Sequence, residues 1–321
     1  MRRWLLATLL VMAGALPVGA QTTDQYPNRP VRFVVPFPPG GSYDVIARLL
    51  GRYISERWGQ QIIVDNRSGA AGNIGSEYVA RSKPDGYTLL VFGDGLLINQ
   101  SLYSNPPYDS ERDFDPITLA AISPQMLVAN PGLGVKTIAD LVALAKTRPG
   151  QINYGTAGAG TPGHLGGELL NRLAGIQLVH VPYRGGAQTM QDVVAGQIEL
   201  VFTGMPATLG QIRADTVRPL GVSSRKRSPT LPDVPAIAET IPDFHVNTWY
   251  GVLAPKGTAR EIITKVGDDV RTVLKLPALR DQLIEQGFEP VGGTAAELAA
   301  TIHDDSPFWR DLIVRSGAHA E

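Results

Sequence analysis

The sequence predicts an α/β protein of two lobes, with mainly parallel sheets joined by a hinge of two chain crossings. Short apolar runs typical of buried strands alternate with amphipathic helical patterns from Pro30 onward. The chain of 321 residues is long enough for more than one core. Two extended runs beside prolines, near 124–130 and 248–255, are the places where the chain would cross between lobes.

The alternation is clearest in the first hundred residues. Val31–Val35 is a continuous apolar run that predicts a buried strand, and Ser42–Trp58 carries apolar residues at helical spacing. Further strands are predicted at 62–64, 87–92, 126–129, 152–155, 178–181, 198–202 and 218–222, and further helices at 74–80 and 137–146. Because strands and helices alternate, the strands should pair in parallel and carry helices on both faces.

The two crossings predict a discontinuous first lobe, residues 24–125 plus 250–321, and an inserted second lobe, residues 126–247. Two extended connections of this kind form a hinge that can open and close. A single large doubly wound sheet is the alternative organisation for a chain of this length.

The first twenty residues have the pattern of a secretory signal peptide. Arg2 and Arg3 precede an uncharged apolar run that ends at Pro17, and small residues follow as far as Ala20. A membrane anchor is the alternative, but the run is shorter than the ~20 apolar residues that cross a bilayer. The sequence therefore predicts export with cleavage after Ala20, and a soluble mature protein.

Composition and charge exclude several classes of function. The formal net charge is −1, and it becomes −3 when Arg2 and Arg3 are removed. A slightly acidic surface argues against binding nucleic acid or anionic membranes. The chain contains no cysteine, which excludes disulfides, thiol chemistry and thiolate metal sites.

Patterns expected of common catalytic and metal sites are absent from the sequence. The histidines, at positions 164, 180, 245, 303 and 319, lack metal-ligand spacing, and no Gly-x-Ser-x-Gly motif occurs. The acidic pairs Asp268-Asp269 and Asp304-Asp305 are sequence neighbours, which do not face each other on a helix. We therefore predict a binding protein rather than an enzyme, with no metal and no cofactor.

Two glycine-rich turns, each between a strand and a helix, are the candidate binding elements. The first contains Gly40 and Gly41, with Ser42 as the expected N-cap; the second leads to Thr161 as N-cap and Pro162 at the first helical position. Free amide N–H groups at such helix starts bind a carboxylate or phosphate without a basic side chain. Ligands of α/β folds bind beyond the carboxyl ends of the strands, so both turns should face one cleft.

A third turn extends this expected site. Tyr183 could stack on or hydrogen-bond a ligand, or simply pack in the core, and the amides of Gly185 and Gly186 could join the anion site. Thr203 ends a strand and is expected in the same cleft. Gly158, Gly160 and Gly163 also spell the dinucleotide pattern G-x-G-x-x-G, but no acidic residue follows at the required distance, which argues against a nucleotide cofactor.

The chain resembles the Bug family, the periplasmic solute receptors of tripartite tricarboxylate transporters, at five motifs: VVPFPPGGSYDVIARLL, VDNRSGAAGNIGSEYVARSKPDGYTLL, NYGTAGAGTPGHLGGELL, HVPYRGGAQTMQDVVAGQIELVF and TWYGVLAPKGT. The resemblance covers essentially the whole mature chain. It implies a type II periplasmic-binding-protein fold that closes on small carboxylates, such as citrate-like acids, amino acids or aromatic acids. It also implies membrane permease subunits as partners of a protein that we expect to be a monomer.

In the family, the ligand carboxylate is held by the first loop of one lobe and the matching glycine loop of the other, with the help of ordered water. The resemblance therefore implies two sets of ligand-binding residues here: Phe37, Gly40, Gly41, Ser42 and Asp44, and Thr156, Ala157, Gly158, Gly160, Thr161 and His164. Asp44 could alternatively complement its helix dipole, and His164 could be structural.

One loop departs from the family pattern. Relatives often carry His-x-Ile-Asn-Pro-x-Leu-Tyr after the third strand, whereas Leu97 and Gln100 replace the His and the Pro here. Asp94, also in this loop, is expected near the cleft, where it would disfavour a second carboxylate or favour a cationic group. Two further functions stay open: presentation of the ligand to a sensor kinase, and a periplasmic hydrolase or isomerase.

Overall fold

The computed structural model describes residues 26–316, so the predicted signal peptide and cleavage site lie outside the described residues. The strands are β1 (Val31–Val35), β2 (Ile62–Asn66), β3 (Thr88–Phe92), β4 (Phe114–Ala129), β5 (Ile152–Thr156), β6 (Leu178–Pro182), β7 (Leu200–Gly204), β8 (Arg218–Val222), β9 (Asn247–Pro255) and β10 (Glu289–Pro290). The helices are α1 (Ser42–Trp58), α2 (Asn73–Ala80), α3 (Gly95–Leu102), α4 (Ile138–Thr147), α5 (Pro162–Ala174), α6 (Gly186–Val194), α7 (Met205–Arg213), α8 (Arg260–Leu274), α9 (Pro277–Glu285) and α10 (Ala295–Ser316).

The strands form two parallel groups on either side of a central antiparallel pair. In the first group β1 pairs in parallel with β2 and β3, and in the second β5 pairs in parallel with β6 and β7. Strand β9 runs antiparallel to β3 and β4. The long strand β4 pairs with β9 up to Pro124, with β7 from Gln125 onward and with β8 from Met126 onward. One strand therefore links both groups and passes from one to the other near Pro124.

Helix α1 shows how the predicted apolar pattern produces the packing. Ile46, Leu50 and Ile54, each four residues from the next, are fully buried. Residues at this spacing lie on one face, and that face packs against β1 and β2. Each such side chain contributes about 1.5–3 kcal/mol when it is removed from water. The helix ends at Gly59, which adopts the left-handed conformation typical of a C-terminal glycine.

Two sequence expectations differ from the structure. The extended piece expected at 126–129 is the end of the sixteen-residue strand β4. The segment after β3, expected as a loop, forms helix α3, and Asp94 precedes it as N-cap. Neither Pro116 nor Pro124 ends β4: Pro116 lies beside a register shift in the pairing with β9, and Pro124 is the last β4 residue that pairs with β9, opposite Asn247. Within residues 26–316, no helix combines the length and the apolar character needed to cross a membrane.

Candidate functional site

A cavity of about 240 Å³ lies between the two strand groups, beyond the carboxyl ends of β1, β3, β5 and β7. Phe37 follows β1, Phe92 ends β3, Ala157 follows β5 and Thr203 lies near the end of β7, and all four residues line the cavity. This is the position at which open α/β sheets bind their ligands. The structure thus brings the predicted glycine turns of both strand groups to one cavity.

Five helices begin at the wall of this cavity. Ser42, Gly95, Pro162 and Gly186 are the first residues of α1, α3, α5 and α6 and line it, and α7 begins directly after the lining residue Gly204. The first N–H groups of a helix have no partner within the helix, and the helix dipole makes that end electropositive. Several such ends around one cavity therefore favour an anion without requiring a buried basic side chain.

The first turn differs from the prediction in its cap. Gly41, not Ser42, is the N-cap of α1, and no side chain caps this helix. The Ser42 hydroxyl instead lies within hydrogen-bonding reach of Tyr250 and packs directly against Gly204, where any side chain would meet it. Ser42 is therefore available as a polar group of the cavity wall, together with Gly41.

Asp44 supports the first turn from behind and does not line the cavity. Its carboxylate accepts hydrogen bonds from the Gly40 N–H and the Asn66 side chain, each at 3.0 Å, and it pairs with Arg48. Burial alone would raise the pKa of Asp44, but the bonds from Arg48, Gly40 and Asn66 lower it below its ordinary value. The ionised carboxylate, bonded to these three partners, therefore holds the loop in place. Like Asp44, Gly40 does not line the cavity.

The second turn has the predicted cap. Thr161 is the N-cap of α5, Pro162 is the first helical residue, and the Thr161 hydroxyl donates to the Gly158 carbonyl at 2.8 Å. Thr161, Pro162 and Ala157 line the cavity, whereas Thr156, Gly158 and Gly160 do not. The Thr156 hydroxyl accepts a hydrogen bond from the Gly158 N–H at 3.2 Å. These residues therefore stabilise the conformation of the turn and do not contact the cavity.

His164 is turned into the protein. Its ring stacks on His180 with centroids 4.0 Å apart, and its Nδ1 accepts from the Gly160 N–H at 3.2 Å. Burial lowers the pKa of His164 to about 4, so the ring is neutral at physiological pH. The expected contact of this histidine with a ligand is not supported by its placement, because the ring is used in packing against His180 and in holding the turn.

The third turn contributes its glycines but not its tyrosine. Gly185, the N-cap of α6, and Gly186 line the cavity with Thr203. Gly186 approaches Thr203 so closely that a Cβ there would lie 2.8 Å from the threonine hydroxyl. The Tyr183 hydroxyl donates to Asp192 at 2.8 Å, and the residue lines a neighbouring cavity instead.

Asp94 is fully buried behind the cavity wall, next to the lining residue Gly95. Neither carboxylate oxygen makes a hydrogen bond of normal geometry. Burial raises the pKa of Asp94 well above its ordinary range and the charge of Asp305 raises it further, while the nearby Trp249 backbone and Thr248 hydroxyl act in the opposite direction. The placement of Asp94 does not support the expectation of a charged group facing the ligand, because this carboxyl is fully buried and does not line the cavity.

Sequence reasoning missed a group of lining residues that come from the two crossings and from α1. The Gln125 side-chain amide donates to the Thr248 hydroxyl at 2.6 Å, which joins β4 to β9 at the cavity. Tyr43 stacks on Phe37 with centroids 5.5 Å apart and lies 5.0 Å from Tyr250, so an aromatic wall stands beside the helix ends. The prediction of extended crossings was the available signal for Gln125 and Thr248.

Within the described residues, no group of three or more histidine, aspartate or glutamate side chains is placed to hold a metal ion. The cavity itself offers backbone N–H groups, hydroxyls, amides and aromatic faces. Among the described residues that line it, Arg184 alone carries a formal charge. Such a lining is suited to holding an anion with an apolar body, and it contains no paired acid and base.

Comparisons with known proteins agree on one kind of relative. Residues 46–318 match the family model described as "Tripartite tricarboxylate transporter family receptor". The protein BugT of Bordetella pertussis is 36% identical over 95% of this chain and 93% of its own length. The structure titled "R. palustris Rpa4515 with adipate" is 35% identical with a TM-score of 0.89, covering 92% of this chain and 99% of that one. MatC of Rhodopseudomonas palustris, solved "with bound malate", is 29% identical with a TM-score of 0.85, covering 90% of this chain and all of that one.

Proposed function

Because this chain belongs to the tripartite tricarboxylate transporter receptor family, we propose that it captures a small carboxylate in the periplasm and delivers it to the permease subunits of such a transporter. Its fold is the periplasmic-binding-protein fold of its solved relatives, as the sequence predicted. The observation that carries the proposal is the convergence of five helix N-termini on one cavity. Backbone N–H groups and helix dipoles at these ends would hold the carboxylate.

The two crossings supply the movement that capture requires. We assign residues 24–125 plus 250–321 to one lobe and 126–247 to the other, with β4 and β9 as the hinge. The first turn approaches the third turn across the cavity, where a Cβ at Gly40 would lie 3.9 Å from that of Ala187. Closure of the lobes would bring both sets of amides onto the ligand and exclude water from it.

Several parts of the proposal concern the cellular setting. Export through cleavage after Ala20 would place the mature protein in the periplasm, where we expect it to act as a monomer. We propose no catalytic activity, because the cavity lining offers no activated nucleophile and no acid–base pair. Presentation of the ligand to a sensor kinase uses the same binding step and is distinguished by the partner protein.

A thermal-shift series across small carboxylates, preceded by native mass spectrometry of the purified protein, tests the binding step. A ligand present at 100 times its Kd should add ~2.7 kcal/mol to the free energy of unfolding. Recovery of a bound acid unchanged would support a receptor, whereas its conversion during incubation would support an enzyme. Protein shown to be ligand-free that gains no stability from any carboxylate would contradict the proposal.

The variant Ala187→Asp tests the anion site directly. Ala187 lines the cavity in the first turn of α6, where a carboxylate suits the helix dipole and should not destabilise the fold. The introduced charge would occupy the free amides and repel a ligand carboxylate, so the ligand-induced shift should disappear. The neutral variant Ala187→Asn, of the same size, should retain more of the shift. Equal binding by Ala187→Asp and the unmodified protein would place the carboxylate elsewhere.

A further inference from the structure

Arg184 stands between the cavity described above and a second one. The second cavity measures about 380 Å³ and is lined on one side by the segment from Ser68 to Gly72 and on the other by Tyr183. Phe37, Ala157 and Arg184 line both cavities. The two spaces are therefore neighbours that share one wall, and a guanidinium group belongs to that wall.

Among the described residues, no carboxylate pairs with the positive charge of Arg184. Its side chain is exposed, and within residues 26–316 it forms no ion pair, in contrast to Arg48, whose guanidinium pairs with Asp44. No aspartate or glutamate of the described residues lines either cavity. A free guanidinium in an acid-free cleft is therefore available for an anion that enters from outside, and its fork geometry matches a carboxylate.

The residues around it separate this charge from the helix ends. Arg184 precedes Gly185 and Gly186, which form the start of α6 and line the first cavity. The Phe37 ring, stacked on Tyr43 and 5.8 Å from Phe92, contributes an apolar face to both cavities. A ligand that used both polar features would carry two negative groups separated by an apolar middle.

We propose that Arg184 determines ligand class by binding a second carboxylate, so that the preferred ligands are dicarboxylates with an apolar middle. The inference rests on the proposed function, in which the helix ends bind the first carboxylate. It replaces the expectation that Asp94 would disfavour a second carboxylate, since that carboxyl is fully buried and lines neither cavity. We expect the second carboxylate to raise the affinity about tenfold. This lies between the few-fold increase from an exposed ion pair and the larger increase from a desolvated one.

The test compares matched ligands on matched variants by calorimetry. The straight-chain diacids succinate, glutarate, adipate and pimelate are each compared with the monoacid of the same chain length, from butyrate to heptanoate. The variant is Arg184→Gln, which keeps a polar side chain without the charge. The control is Arg172→Gln, which removes an exposed charge from the last turn of α5, outside both cavities.

The unmodified protein and Arg172→Gln should both bind at least one diacid about tenfold more tightly than its matched monoacid, and Arg184→Gln should lose this preference while keeping monoacid affinity. The preference should also shrink as salt rises from 0.05 to 0.5 M, since an exposed charge is screened. An unchanged preference in Arg184→Gln, or none in the unmodified protein, would overturn the inference. Binding of other carboxylates but no straight-chain diacid would overturn it too and leave the proposed function standing, whereas failure of every carboxylate would remove both.

Discussion

The stacked histidines His164 and His180 make the protein sensitive to acid. Burial lowers the pKa of His164 to about 4, and burial together with the neighbouring His164 lowers that of His180 to about 3. An unfolded histidine has a pKa of about 6.5, so the unfolded chain binds more protons below that pH. The stability contributed by these neutral rings is complete above pH 6.5 and is lost as the pH falls towards 4.

Replacing His180 with glutamine removes one of these titrations and leaves an amide that can bond to the Thr156 hydroxyl, which lies 2.7 Å from His180 Nε2. Between pH 6.5 and 4, each buried histidine costs up to roughly 1.4 kcal/mol per pH unit. The melting temperature of His180→Gln should therefore fall less steeply in this range. The exposed His303, replaced in the same way, is the control and should leave the slope unchanged. Identical slopes for both variants would contradict the argument.

The contribution of Asp94 to stability has the opposite dependence on pH. Its pKa in the folded protein is raised by burial and by Asp305, so the folded state keeps a proton that the unfolded chain releases above about pH 4. Stability is therefore greatest below that pH and declines as the pH rises towards the raised pKa of the folded state. The phenols of Tyr43 and Tyr250, whose pKa values are raised by burial, also face this carboxyl but stay neutral here.

The variant Asp94→Asn should consequently become more stable relative to the unmodified protein as the pH is raised from 4 to 8. Differential scanning calorimetry across this range measures the difference. Asp304→Asn, an exposed substitution beside Asp305, should show no comparable trend. A difference in melting temperature that stays constant with pH would mean that Asp94 does not hold a proton in the folded protein.

At the scale of elements, the sequence predicted those helices and strands best whose bounds are set by the local pattern of apolar residues. The predicted bounds of α1, β1 and β8 match those of the structure. Apolar residues at helical spacing define α1, and a mainly apolar run defines β1. Helix α3 was missed because a glycine starts it and no side chain caps it. The pairing of Gln125 with Thr248 joins residues 123 positions apart, and no local pattern specifies it. Turn positions were thus predictable, whereas the inward or outward direction of Asp94 and His164 depended on packing.

The start of α5 is held against β7 by a glycine. A Cβ at Gly163 would collide with the backbone carbonyl of Phe202, which cannot rotate away. The variant Gly163→Ala should therefore push the helix end from the sheet, cost about 1–3 kcal/mol of stability and weaken carboxylate binding, as chemical denaturation and calorimetry would measure. Gly210→Ala on α7 is the control, because its surroundings are open and alanine favours a helix. Unchanged affinity in Gly163→Ala would remove α5 from the proposed anion site.

At the scale of the whole molecule, a disulfide between the first and third turns tests the proposed closure of the two lobes. The native chain has no cysteine, so within one molecule two introduced thiols can pair only with each other. A Cβ at Gly40 would lie 3.9 Å from that of Ala187, which is within the Cβ–Cβ range of about 3.5–4.5 Å for disulfides. The variant Gly40→Cys/Ala187→Cys should therefore form an intramolecular bridge across the cleft. Gly40 has a φ of +85°, so the substitution there carries backbone strain.

The oxidised double variant should exchange ligand far more slowly than the reduced one, because the proposed hinge at β4 and β9 can no longer open the cleft. Mass spectrometry verifies the bridge, and release of a preloaded carboxylate with and without reductant measures the exchange. The single variant Gly40→Cys separates the effect of backbone strain from that of the bridge. If the oxidised protein releases its ligand as fast as the reduced protein, the ligand leaves without separation of the first and third turns. The chain would then bind in a pocket that needs no hinge motion, and the two-lobe capture mechanism would be wrong.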